Sequence, residues 1–137
     1  MNTDFLDAHQ RHWEDAERLF SEERWANADH LFGMSAECGL KRLMIAFGMP
    51  NLAQHPTVRS DRVHVDTLWD RYEAYRSGQH AGAGYGLPDE FDFSDWRAEQ
   101  RYSNRSCFDQ DRAEEHRSGA LAVKNLINSA VMDGIVE

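Results

Sequence analysis

A chain of 137 residues with 24 acidic residues against 15 Lys and Arg carries a formal charge of −9: one ordinary domain, without the positive surplus that indiscriminate binding to phosphate backbones requires. Four Trp, four Tyr and seven Phe are too many aromatics for a disordered segment, and 41% apolar content is enough for a core. No apolar run approaches the roughly 20 residues of a membrane span, the polar N-terminus has no signal-peptide core, and Cys38 and Cys107 are too few and too far apart for a disulfide framework or a zinc site, so the cytoplasm is the expected compartment.

The first predicted element is a helix from about Asp4 to Glu22, with Thr3 as its N-cap. Phe5, His9, Trp13, Ala16 and Phe20 fall on one stripe at helical spacing, and Asp7, Gln10, Arg11, Glu14 and Arg18 cover the remainder. The second, Trp25 to Phe47, is stopped by Gly48 and Pro50 and is apolar over most of its circumference, which places it at the centre of the fold. Gly33, Ala36 and Gly39 give it small residues where a neighbour can approach closely. A polar connection through Pro56 and Ser60 leads to a third helix from about Arg62 to Arg76, with Val65, Leu68, Trp69, Tyr72 and Tyr75 as its stripe. Residues 77–92 form a long glycine-containing loop, residues 94–102 a short helix, and the last helix runs from Asp109 or Asp111 to about Met132, before Asp133 and Gly134. No strand-type alternation persists, so the expected fold is all-α, an antiparallel four- or five-helix bundle in a single domain.

Two groups of polar residues stand out on the helical wheels. His30, Glu37 and Lys41 share one strip of the second helix, which is either solvated or buried against polar partners. Arg112 and His116 stand one turn apart in the last helix, with His116 near the middle of a stripe built by Ala113, Ala120, Val123, Ile127, Ala130 and Val131. Such a histidine is either a satisfied core residue or half of an anion site, in which Arg supplies charge and paired donors and His a proton near neutral pH. Gly82, Gly84 and Gly86 match a nucleotide-loop spacing but have no strand before them, so a plain loop is the better reading. His9 and His12, with His64 and Asp66, are a weak metal set, and Cys38 reads as a packed, inert thiol. Trp96, Arg97, Arg101, Tyr102 and Arg105 form a basic, aromatic cluster that suits either an RNA groove or ion pairs with Asp89, Glu90 and Asp92.

The stretch from Trp25 to Lys41, with Ala36-Glu37 and Leu40-Lys41, resembles the second helix of HEPN domains, and helix order extends the likeness loosely over most of the chain. The resemblance implies an all-α bundle, commonly dimeric, and for many members metal-independent RNase activity in toxin or defence systems. It also implies non-catalytic members that act as partner subunits or nucleotide sensors. The family signature, an Arg followed by a His in the last helical region, falls on Arg112 and His116; the interval is one residue shorter than the shortest of the family, and Ser118 stands where a Tyr follows the His.

Three functions are therefore expected in competition. One is a ribonuclease with Arg112, His116 and Glu37 as its constellation; another is a nucleotide or anion site to which His30, Lys41, Arg101 and Tyr102 contribute; the last is an accessory subunit contacting a protein partner. A homodimer is expected, and no cofactor or metal is required.

Overall fold

The computed structural model describes residues 1–137, and its architecture is all-α apart from one very small sheet. The helices are α1 (Phe5–Ser21), α2 (Trp25–Ala46), α3 (Trp69–Ser77) and α4 (Gln110–Met132). No helix is long and apolar enough to cross a membrane.

Helix α2 is central, packing against α1 on one side and α4 on the other. Thirteen of its 22 residues are buried, as its nearly continuous apolar circumference requires. The small residues set how closely its neighbours approach. A Cβ added at Gly39 would lie 2.5 Å from Val123 Cγ1 of α4 and 2.8 Å from the His9 ring of α1, and one at Gly33 would lie 2.1 Å from the Trp96 indole. Gly39→Ala is expected to destabilise the chain by about 1–3 kcal/mol through overpacking, although alanine is the better helix former. Urea denaturation measures this; an unchanged midpoint would mean that the α1–α2–α4 contact is loose.

Around this helix lies one contiguous core of 22 residues, including Phe32, Leu40, Leu43, Tyr72, Trp96, Val123 and Ile127. Val131, expected on the α4 stripe, is instead 47% exposed.

The elements depart from the sequence reading at four places. Asp4, not Thr3, caps α1: its Oδ1 accepts from Asp7 N at 3.0 Å, while the Thr3 hydroxyl meets His55 Nε2 at 2.8 Å. The polar connection contains an antiparallel pair, β1 (Asn51–Leu52) and β2 (His55–Pro56). Ala53 and Gln54, both with positive φ, form its turn, and this left-handed pair suits a two-residue hairpin. Helix α3 begins at Trp69 rather than near Arg62. The Val65 N–H donates to Glu37 Oε1 at 3.0 Å, and His64 is extended, so this stretch folds as separate 3₁₀ turns at 59–61 and 65–67. Residues 98–102 likewise form a 3₁₀ turn instead of a short α-helix.

Candidate functional site

The final helix is positioned by its own N-cap. Asp109 Oδ1 accepts from Arg112 N at 2.9 Å, which starts α4 at Gln110, with Arg112 in its first turn and His116 one turn further on, both facing α2.

His116 is fully buried, and both of its ring nitrogens face carboxylates. Nδ1 bonds to Asp29 Oδ1, and Nε2 lies 2.8 Å from Asp95 Oδ1. Because a carboxylate only accepts, both nitrogens donate and the ring is an imidazolium. Burial alone would lower its pKa, but the bonds and charges of Asp29 and then Asp95 outweigh burial and raise it above the ordinary value. The ring stacks on Phe93 with centroids 5.0 Å apart, and Phe93 in turn occupies the space over Gly119.

Arg112 completes the cluster. Its Nη1 lies 3.1 Å from Asp95 Oδ2, Nη2 donates to the Asp95 carbonyl at 2.7 Å, and Nε lies 3.6 Å from Asp29 Oδ2. The guanidinium also sits 5.5 Å from the centre of the Phe108 ring. Gln100 Nε2 donates to Asp29 Oδ2 at 2.5 Å. Two cations and two carboxylates balance, which is the condition for burying so many charges. The two acids differ in environment: Asp29 is sealed, whereas the Asp95 side chain is 51% exposed. Arg112 and Asp95 open onto a cavity of 340 Å³ lined also by Arg97, Glu99, Gln100, Ser103, Cys107 and Phe108.

Arg112 and His116 are thus brought together, as their one-turn spacing suggested, but Glu37 does not join them. Glu37 Oε2 takes Lys41 Nζ at 3.2 Å, and Oε1 accepts from His64 Nδ1 and Val65 N, each at 3.0 Å. The strip of α2 that carries Glu37 and Lys41 faces the 64–65 segment, so its carboxylate is fully engaged there. The acid facing Arg112 and His116 is Asp29. Its signal was present in the sequence: Asp29, Gly33, Ala36 and Leu40 form one helical row, in which Asp29 is the only charged member. Asp95 comes from a loop, and only tertiary folding places it.

The four residues expected to bind a ligand do not converge. His30 stacks on Trp96 with centroids 5.4 Å apart, and its Nδ1 is buried without a partner; burial, then the charge of Arg101, lowers its pKa. Lys41 is held by Glu37, and Arg101 donates to the Ala98 carbonyl at 3.2 Å and lies 4.8 Å over the Tyr102 ring. Tyr102 is 78% exposed. Trp96, read with the basic cluster, is wholly buried, and Arg97 pairs with Asp66 rather than with the 89–92 acids.

The remaining motifs are absorbed by packing. His9 Nδ1 bonds to the Ser35 carbonyl at 2.8 Å, and Ser35 Oγ donates to the His9 carbonyl at 2.9 Å, so His9 is a satisfied core histidine kept neutral chiefly by burial. Its partner in the metal reading, His64, faces Glu37 instead. Gly82 lies against the Arg76 backbone, where an added Cβ would meet Arg76 O at 2.0 Å. Cys38 is buried and its thiol is pushed up to about 12, chiefly by burial, which leaves it protonated.

No protein-family model matches the chain, and no curated protein or solved structure matches it either.

Proposed function

We propose that this chain is a single HEPN-like domain, an antiparallel helical bundle working as a homodimer, and a metal-independent endoribonuclease whose acid is His116. The observation that carries the reading is the convergence of His116 Nε2 and Arg112 Nη1 on the two oxygens of one carboxylate, Asp95, beside an open cavity. Two donors that hold two oxygens of one anion suit a phosphodiester, and a phosphodiester carries the same single negative charge as Asp95. Substrate entry then requires the half-exposed Asp95 to turn outward.

With a phosphodiester in that place, the 2′-oxygen attacks phosphorus and its proton passes to water. Arg112 stabilises the charge on the phosphorane oxygens, and His116 Nε2 gives its proton to the departing 5′-oxygen. The P–O5′ bond breaks as the 2′-O–P bond forms, leaving a 2′,3′-cyclic phosphate and a 5′-hydroxyl. Asp29 holds the ring so that Nε2 faces the mouth, and stabilises its charge before transfer.

The test is incubation of the purified chain with single-stranded RNA in excess chelator. Cleavage that persists, yields cyclic phosphate ends and disappears in His116→Gln with the fold retained is the expected result. One observation favours the second reading, a non-catalytic partner or nucleotide-binding subunit: neither nitrogen of His116 is free. If the wild-type chain cleaves no RNA, that reading replaces the first.

A further inference from the structure

We infer that the cavity between the start of α2 and residues 103–108 is a phosphate-backbone subsite for single-stranded RNA, beside the Arg112–His116 mouth. The inference deepens the ribonuclease reading and rests on it for the identity of the ligand. The cavity measures 430 Å³, and its lining includes Arg24, Trp25, Ser103, Arg105 and Phe108, together with one carboxylate, Glu23. Ser103 and Phe108 also line the 340 Å³ cavity onto which Arg112 and Asp95 open, so the two cavities lie side by side along the same segment.

Two observations point to an anion here. Arg24 and Arg105 are exposed and neither forms an ion pair, although the chain has a surplus of nine negative charges. Arg59 is exposed and unpaired as well; what sets Arg24 and Arg105 apart is that both line one cavity, where their charges add. The first α2 hydrogen bond comes from Ala28 N to Arg24 O, and Arg24 provides no side-chain cap, so the amides of Trp25, Ala26 and Asn27 have no helical partner. These amides belong to residues that line the cavity.

The surroundings favour RNA over an acidic peptide, which has charge but no bases to stack. Trp25 is half-buried in the cavity wall, and Tyr102, next to Ser103 in the chain, is largely exposed beneath the Arg101 guanidinium. Arginines alternating with accessible rings are what a single strand requires: cations for successive phosphates and ring faces for unstacked bases. One phosphate then lies at Arg112 and His116 while another lies at Arg24 and Arg105.

The experiment is fluorescence anisotropy with a labelled 2′-O-methyl oligouridylate of about ten nucleotides, within the usual site sizes of single-strand binders and lacking the attacking hydroxyl. The doubly substituted Arg24→Gln/Arg105→Gln chain should bind it at least about tenfold more weakly, and the slope of log affinity against log salt should be smaller by about 1.4, two phosphate contacts at about 0.7 each. Arg18→Gln/Arg59→Gln removes the same charge from exposed positions elsewhere and should bind like the wild type. Equal loss in both double variants would overturn the subsite, because binding would then be diffuse. Wild-type affinity in Arg24→Gln/Arg105→Gln, or no binding by the wild-type chain, would overturn it as well. If the chain binds through Arg24 and Arg105 but cleaves no unmodified RNA, the subsite stands and the cleavage reading falls. If it cleaves RNA but its binding does not depend on these arginines, the cleavage reading stands and the subsite falls.

Discussion

Asp29→Ala is expected to lose about 3–5 kcal/mol of unfolding free energy, the usual consequence of removing one partner from a buried, charged network. Asp29 is completely buried and engaged from three directions: it accepts from His116 Nδ1 and from Gln100 Nε2 at 2.5 Å, and it faces the charge of Arg112 Nε at 3.6 Å without a hydrogen bond. Truncation leaves all three facing a void, and solvent cannot replace the carboxylate because the site is sealed. Part of the loss is relieved when His116 gives up its proton, since the dominant force raising its pKa has gone. Asp29→Asn keeps the shape and one acceptor, so it should lose less than alanine while still neutralising His116. Urea denaturation of both variants, with the imidazole titrated by NMR, checks the two parts separately. A loss below about 1 kcal/mol, the level of an exposed ion pair, would show that Asp29 does not hold the cluster together.

Why Asp29 is hard to pick out in the sequence, while the helix that bears it is easy to find, is a matter of scale. Periodicity reports which face of a helix is apolar, and α2 is apolar on nearly every face, so its extent and central position follow from local pattern alone. The pairing of a polar residue depends on which neighbour lies opposite, and that is a tertiary fact. Glu37 and Asp29 both carry a carboxylate on α2, yet Glu37 is engaged by His64 and Val65 while Asp29 is engaged by α4. Arg112 and His116 are legible as a pair because one turn of helix fixes their separation. Asp95 is not, because no periodicity governs a residue in the loop before the 98–102 turn. Helix α3 shows the same limit from the other side. Its stripe residues Val65, Leu68 and Tyr72 are buried as expected, but Glu37 takes the Val65 amide out of any helical bond and delays the helix to Trp69.

Asp95→Ala should raise the rate of RNA cleavage by about tenfold at subsaturating substrate, the equivalent of one charge-assisted hydrogen bond that substrate no longer has to displace. Asp95 fills the position between Nε2 of His116 and Nη1 of Arg112 that the phosphodiester needs, at 2.8 Å and 3.1 Å. Its side chain is half exposed, so its removal disturbs no packing and the fold should persist. The pH dependence of stability gives a second reading of the same substitution. In the wild type the folded pKa of His116 is raised above the unfolded value of 6.5, so its contribution is fully present below 6.5 and is lost as pH rises through the raised folded value. Without Asp95 the folded pKa falls, and the loss moves to lower pH; burial and Asp29 still act on the ring from the other side. Unfolding free energies of wild type and Asp95→Ala should therefore differ most below the unfolded value, where the wild type carries the larger contribution, and converge as pH rises through the raised folded value of the wild type. If the variant instead cleaves more slowly than the wild type while its stability profile shifts as described, Asp95 takes part in the proton transfers and does not merely occupy the site. If the stability profile does not shift at all, the Asp95–His116 bond is absent in solution, and the convergence on which the acid role of His116 rests is absent with it.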